Sequence, residues 1–451
     1  MPMHQPGSEP LADRPNRLPD PPIRRWSRPF VRFLQIESAS GIVLLICTAI
    51  ALVLANSPVA TRFGGFWDTH LHIGIGSWKL DQSLLHLVND GLMTIFFFVV
   101  GLEIKREIVA GELRDPKKAA LPLMAALGGM IAPAAIYWLL LGGKPGGSGW
   151  GIPMATDIAF VVGFLALLGP RVPFGLKILL LSLAIADDIG AVLVIAIFYS
   201  TNISLTALLL AALGFVAIVM LNVIGVRRIS VYGVVGGFIW LAFLKSGVHP
   251  TVAGVMLGLL TPARAWVGER TLFDLIADTF NSLRTDADGN PEHHHRPRLG
   301  ELETAIRESN SPLERLESAL HPWVAFLIMP IFALGNAGVT IDPHAVSHPI
   351  ALSVAAGLVL GKPLGIVAFS WLAVQLGIAR LPTGVNWKVM LGAGCLAGIG
   401  FTMSLFIAGL ALPADLLDAG KIGTLAGSTI SALLGCGLLI VFLKKDEVEA
   451  I

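Results

Sequence analysis

The sequence predicts an all-α protein embedded in a membrane, and three observations carry that reading. Of 451 residues, 54% are hydrophobic and only 14% charged, where a soluble domain carries about 25% charged residues. The charge is uneven: long apolar runs alternate with short polar stretches that hold most of the Lys and Arg. Twelve apolar runs can be marked, and about 20 apolar residues suffice to cross the hydrocarbon core as a helix. A large soluble enzyme fits poorly, because its core helices would show polar faces at a helical period.

The twelve spans are placed at 41–56, 84–104, 119–141, 152–168, 174–199, 204–224, 229–244, 248–261, 321–338, 349–374, 388–411 and 421–443. The distribution of basic residues tests this count. The tail before the first span carries Arg24, Arg25, Arg28 and Arg32, and the loop after the second carries Lys105, Arg106, Arg114, Lys117 and Lys118. Arg171, the pair Arg227–Arg228, Arg380 with Lys388, and Lys444–Lys445 continue the series on every second loop, while the alternate loops hold little beyond Lys144 and Lys245. Twelve spans with both termini in the cytoplasm satisfy that alternation. The expected division is a tail at 1–35, spans one to eight within 36–262, a long charged cytoplasmic loop at 263–320, spans nine to twelve within 321–443, and a tail at 444–451.

Several functions are disfavoured at once. A net charge of +1 points to no nucleic acid. Cys47, Cys395 and Cys436 lie in apolar runs without metal-ligand spacing and read as small core residues. The first 30 residues are rich in Pro and Arg, unlike a cleavable signal peptide. In the long loop, TDADGN at 285–290 lacks the ligand spacing and closing Glu of a calcium loop. His293, His294 and His295 are consecutive and cannot converge on one metal; the loop reads as solvated, partly disordered and partly helical, with a helix start near Leu299–Ile306.

The informative residues are ionisable groups inside apolar runs: Asp157 in span four, Asp187 and Asp188 in span five, and Lys362 in span ten. A charge at mid-membrane costs about 2.5–3.5 kcal/mol on insertion scales, so such residues usually face a cavity or a partner. Adjacent helical residues point about 100° apart, so Asp187 and Asp188 cannot do one job twice. Two neighbouring carboxylates in an apolar medium do not both stay ionised and uncompensated. One holds either a proton or a cation, which is what exchange of the two requires.

Span four reads GIPMATDIAFVVGF, with Pro153, the polar pair Thr156–Asp157 and Gly163; span eleven contains AGIGFTMSLF, with Gly398 and Gly400 before Thr402 and Ser404. Both runs carry a polar break. Paired broken helices in corresponding halves point to a transporter binding site. Half-helix ends at the midplane leave partial charges of about half a unit; Asp157 and Lys362 are the candidates to offset them. Lys362 has about twelve residues of its span on either side and is too central to snorkel easily.

Seven ordered motifs together resemble the NhaA family of bacterial sodium/proton antiporters: NDGLMTIFFFVVGLEIKREIVAGEL at 89–113, MATDIAF at 154–160, ADDIGAV at 186–192, KSGVHPTVAGV at 245–255, LHPWVAFLIMPIFALGNAGV at 320–339, GKPLGI at 361–366 and GIGFTMSLFIAGLA at 398–411. The resemblance covers roughly 35–443. It implies twelve helices with inverted repeats, spans three to five and ten to twelve, with spans four and eleven crossing at unwound centres. It implies Asp188 as the main sodium ligand and proton carrier, Asp187 as its neighbour able to exchange a proton or pair with Lys362, and Thr156 and Asp157 as polar lining. Asp90 matches the family motif as an accessory acid.

The implied activity is electrogenic exchange of sodium or lithium for protons by alternating access, in the inner membrane, without a cofactor; a homodimer is suggested, through a hairpin in Asn56–Gln82. The family is switched on at alkaline pH, and the matching ionisable positions here are Glu103, Arg106, Glu107, His249, Glu317 and His321. Ser318 replaces a His of the family pattern, Pro250 follows His249 where Ala is common, and the loop before Glu317 is long. These departures imply a shifted or differently wired pH response. A sodium symporter for organic substrates, an intramembrane aspartyl protease using Asp157 and Asp187, and a channel are the rivals. A symporter needs polar groups for an organic substrate, a protease its own signature motifs, and a channel has no need of the Asp–Asp–Lys set.

Overall fold

A computed structural model describes residues 37–75, 78–226, 228–285 and 295–443. Arg24, Arg25, Arg28, Arg32, Arg227, Lys444, Lys445, His293, His294 and all but the first residue of TDADGN lie outside the described residues. The molecule is built almost wholly of helices. Those that concern the site are α1 (Glu37–Ala55), α2 (Ala60–Trp67), α3 (Leu84–Val109), α4 (Pro116–Leu141), α5 (Ile158–Leu168), α6 (Phe174–Phe198), α7 (Leu205–Ile224), α8 (Ile229–Leu244) and α9 (Pro250–Leu260). There follow α10 (Glu269–Thr285), α11 (His295–Ser309), α12 (Pro312–Asn336), α13 (Pro349–Gln375), α14 (Trp387–Ala397), α15 (Phe401–Ala411) and α16 (Ala414–Phe442). A 3-10 turn, Gly147–Met154, precedes α5.

Among the described residues, eight helical segments are long and apolar enough to cross a membrane, and up to ten if each of two bent pairs is one span; α8 and α9 are shorter apolar helices. The bent pairs are α1 with α2, at 118°, and α14 with α15, at 49°. α7 shows why lipid is the solvent: Leu205, Leu209, Leu210, Leu213, Val216 and Val223 are all exposed, a cost in water that vanishes against acyl chains.

Local chemistry sets the helix ends. Asp115 caps α4 by accepting the Lys117 N–H at 3.0 Å, with Pro116 in the first turn. Ser311 and Glu314 form a reciprocal capping box at the start of α12 (3.0 and 3.2 Å). That helix starts at Pro312, so the sequence boundary at 321 was late: the charged residues of its first turns obscured the amphipathic start. The described part of 263–320 contains α10 and α11; α11 includes the helix start expected near Leu299–Ile306, and α10 is an addition to that reading. A polar composition hid α10.

Two glycine contacts bring helices close enough to frame the site. A Cβ on Gly128 of α4 would stand 2.1 Å from the Gly365 oxygen of α13, and Pro133 of α4 packs on Gly361. A Cβ on Gly101 of α3 would stand 2.6 Å from the Val255 oxygen of α9. Only residues without side chains allow such approach. α4 also packs on α6, and α13 on α16. Outside the bundle, β1 (His70–Ile75) and β2 (Trp78–Ser83) form an antiparallel hairpin within the stretch expected to form one. Asp81 faces His70 at 2.6 Å and His72 at 3.2 Å. The hydrogen bond from His70, aided by the charge of both rings, holds the Asp81 carboxyl below its ordinary range.

Candidate functional site

The break before α5 and the break between α14 and α15 lie against each other. Ala155, Thr156 and Asp157 are non-helical, with Ala155 and Asp157 extended, and they follow a 3-10 turn that contains Pro153 and ends at Met154. Gly398–Gly400 separates the helices of the second span. The Asp157 N–H donates to the Ile399 oxygen at 2.7 Å, and a Cβ on Gly400 would meet the Ala155 oxygen at 3.0 Å. The two breaks thus satisfy part of each other's backbone, which lipid could not do.

Asp157 joins two helix N-termini. Its Oδ1 accepts the Phe160 N–H at 3.4 Å, in the first turn of α5, and its Oδ2 accepts the Thr402 N–H at 3.1 Å and the Thr402 hydroxyl, in the first turn of α15. A carboxylate there faces two positive dipole ends. Ser428 of α16 accepts the Phe401 N–H at 3.1 Å, and the Ser404 hydroxyl donates to the Ile152 oxygen at 2.7 Å. Ser428 escaped the sequence reading because a lone Ser in an apolar run has many structural uses.

Lys362 is fully buried and its Nζ bonds the Asp187 Oδ2 directly. It also donates to the Thr156 hydroxyl at 2.9 Å. That hydroxyl has one proton to give, and two acceptors in reach: Asp187 Oδ2 at 2.7 Å and the Ala397 oxygen, at the end of α14, at 2.8 Å. Lys362 therefore reaches the C-terminal end of a half-helix through Thr156, where the sequence pattern suggested direct compensation.

Asp188 is different. It is 2% exposed, and no donor reaches it among the described residues. Among the described residues, the charges that act on it are those of Asp187, Asp157, Glu103 and, as the cation, Lys362. Lys362 is already committed to Asp187. A buried carboxylate with no donor and three acidic neighbours must be neutralised by a proton or a cation. Neighbouring positions on α6 have sent the two aspartates to different surroundings.

The remaining candidates divide into two places. Arg106 of α3 pairs with Glu317 of α12, and His321 Nδ1 lies 3.9 Å from Glu103 Oε1. Glu107 lies on the same helix but accepts the Glu112 N–H at 3.1 Å, closing the loop after α3. His249 is apart from this group. Its Nδ1 lies 2.8 Å from the Thr251 hydroxyl and 3.5 Å from the Thr251 N–H at the start of α9, and its Nε2 lies 3.4 Å from Asp90 Oδ1. Trp240 Nε1 donates to the Asp90 oxygen at 3.1 Å, and Asn89 exchanges amide bonds with Asn336 (2.8 and 3.3 Å). Among the described residues, no cluster of three or more His, Cys, Asp or Glu could hold a metal ion as a resident cofactor.

Residues 31–439 match the family described as Na+/H+ antiporter 1. The chain belongs to that family. Its relatives include the Na(+)/H(+) antiporter NhaA of Rhodopirellula baltica, 52% identical over 428 residues that cover 95% of this chain and 97% of that one. The Na(+)/H(+) antiporter NhaA 1 of Acidiphilium cryptum is 48% identical (95% and 96% covered), and the Na(+)/H(+) antiporter NhaA of Rhizobium meliloti 49% (94% and 97%). As a member of the Na+/H+ antiporter 1 family, the chain is a multi-pass membrane transporter of sodium and protons and not an enzyme. Sodium and protons are its cargo, and no cofactor is needed to move them.

Proposed function

We propose that the protein exports sodium or lithium in exchange for protons by alternating access, with Asp188 as the shared site. The carrying observation is the buried Asp188 carboxylate, without a donor, beside an Asp187 already paired with Lys362. Proton and cation compete for one carboxylate, so no separate coupling device is needed. Protons neutralise the site from the periplasm, and sodium displaces them when the site faces the cytoplasm. Asp187, Thr156 and Asp157 line the site, and Lys362 holds Asp187 while Asp188 cycles. Exchange of more protons in than sodium out makes transport electrogenic and driven by the membrane potential.

The reading goes with an architecture of twelve crossings and both termini in the cytoplasm. The eight long spans, two bent pairs and two short apolar helices supply the segments. In this reading α4, the broken span ending in α5, and α6 form one repeat, and α13, the broken span α14–α15, and α16 form its inverted counterpart. The hairpin β1–β2 is the expected contact of a homodimer. Glu103, Arg106, Glu317 and His321 are the expected seat of alkaline activation, with Glu107 beside them and the His249–Asp90 pair a second, separate contributor.

Everted membrane vesicles with a respiration-acidified interior test the proposal. Sodium and lithium are expected to dissipate the pH gradient, potassium is not, and activity is expected to rise at alkaline pH. No sodium-dependent alkalinisation anywhere between about pH 6.5 and 9 would overturn it.

A further inference from the structure

We propose that a file of hydroxyls on α16 is a hydrated crevice leading to the crossing of the two broken spans, and that Lys421 at its outer end closes it to cations. This concerns a second approach to the crossing and does not depend on which carboxylate carries the ion. Lys421, Thr424, Ser428 and Ser431 fall at positions i, i+3, i+7 and i+10, on one face of the helix. They are 7%, 0%, 4% and 1% exposed, while Asp418, one turn before Lys421, is exposed. The file thus runs inward from a surface over about 15 Å, at a helical rise of about 1.5 Å per residue. The seam that holds it is narrow. Gly423 and Gly427 of α16 press on Ala351 and Ala355 of α13, and Gly420 presses on Leu412, just past the end of α15.

A serine or threonine inside a helix often bonds the carbonyl four residues back, as Thr429 does to Leu425 at 2.8 Å and Ser353 to Pro349 at 2.7 Å. Thr424 Oγ1 and Ser431 Oγ make no hydrogen bond among the described residues, and buried polar groups of that kind take water as their partner. Ser428 accepts the Phe401 N–H at 3.1 Å and keeps its own proton to give. Successive members of the file are about 5–6 Å apart at Cβ, a gap that one water bridges. The inner end touches the breaks. Ser431 Oγ would stand 2.8 Å from a Cβ on Gly398, and Phe401 precedes Thr402, whose N–H and hydroxyl both hold Asp157. A carboxylate at the inner end and hydroxyl oxygens along the way would draw a sodium ion in, and an ion taking this route would reach the crossing without displacing a proton. Lys421 opposes it. Its side chain is buried, where a snorkelling lysine reaches into water. It forms no ion pair among the described residues, and the charge that acts on it is that of Asp418. An ammonium at a narrow mouth repels cations and lets water pass.

Leak of radioactive sodium from proteoliposomes at equal pH on both sides tests this, with the full chain carrying Asp188→Asn so that exchange at the main site is not read. Adding Lys421→Gln is expected to raise the leak severalfold over Asp188→Asn alone, Lys421→Glu to raise it further, and Lys421→Arg to leave it unchanged. Adding Thr424→Val and Ser431→Ala to the Lys421→Gln protein is expected to return the leak to background. Folded Lys421→Gln and Lys421→Glu proteins that leak no more than background would overturn the role of Lys421. A leak that persists without the two hydroxyls would overturn the file as its path. A thiol at the inner end gives a second measurement with Lys421 in place. Ser431→Cys, with Cys47, Cys395 and Cys436 replaced by Ala, is expected to react with methyl methanethiosulfonate, which is small and uncharged, and to be spared by silver ion, a cation close to sodium in size. A thiol that silver reaches as readily, or that neither reagent reaches, would overturn the proposal. The leak is read without exchange, so its outcome is separate from that of the vesicle assay for sodium/proton exchange.

Discussion

Lys362 offers the sharpest perturbation of the site. Its ammonium is fully buried and bonds both Asp187 and the Thr156 hydroxyl, which itself touches the end of α14. Lys362→Met keeps most of the side-chain volume, so the void that Ala would leave against Gly129, near the lysine Cδ, is avoided. What remains is an Asp187 without its cation. Removing one partner of a buried ion pair costs about 3–5 kcal/mol, because the other charge is left uncompensated. The double variant Lys362→Met/Asp187→Asn removes both charges and is expected to recover most of that loss, since replacing a whole buried pair is often close to neutral. Thermal unfolding in detergent, followed for wild type, both single variants and the double variant, measures the coupling. Sodium-dependent exchange in everted vesicles is expected to fall in the Lys362 variants as well. A Lys362→Met protein that melts with wild type, or a double variant whose loss is the plain sum of the singles, would refute the pairing.

Other outcomes are checked more simply. Thr402→Val removes a hydroxyl bond to Asp157 but leaves the Thr402 N–H contact, so a loss of about 1–3 kcal/mol is expected in the same unfolding measurement; no loss would mean the hydroxyl bond to Asp157 is not formed. Gly365→Ala puts a Cβ 2.0 Å from the Gly128 oxygen and is expected to lower the melting temperature and the yield of folded protein, by about 1–3 kcal/mol or more; full stability would mean that α4 and α13 do not meet there. In the hairpin, His70 holds Asp81 below its ordinary range. Asp81 therefore contributes to hairpin order above its unfolded range, and that contribution is lost as pH falls through the depressed folded value. Protection of β1 amides from hydrogen exchange, taken relative to the intrinsic rate at each pH, is expected to fall on acidification in wild type and to show no such step in Asp81→Asn.

The membrane character and the polar breaks were legible because they are departures from composition: charged residues and paired glycines where apolar runs should continue. Asp157, Asp187, Asp188 and Lys362 stand out on those grounds alone, and the fold brings all four together. The separation of the two adjacent aspartates followed from helical geometry. Other features were hidden. The bonds from Ser428 to α15 and between Asn89 and Asn336 join distant segments through ordinary polar residues, with no local signal. The six positions proposed for pH sensing looked equivalent in the sequence, but His249 meets Asp90 while Arg106 meets Glu317. The helix expected near Leu299–Ile306 is α11, whereas α10 was concealed by a charged composition shared with unstructured loops.

The central claim is that one carboxylate, Asp188, holds either a proton or sodium. Proton release measured with a pH indicator on adding sodium to the purified protein in weakly buffered detergent tests it most directly. Wild type is expected to release protons as sodium binds, with a smaller release at alkaline pH where the site is already deprotonated, and Asp188→Asn, folded by its melting curve, is expected to release none. Sodium binding without proton release in wild type, or an undiminished release in Asp188→Asn, would contradict the claim.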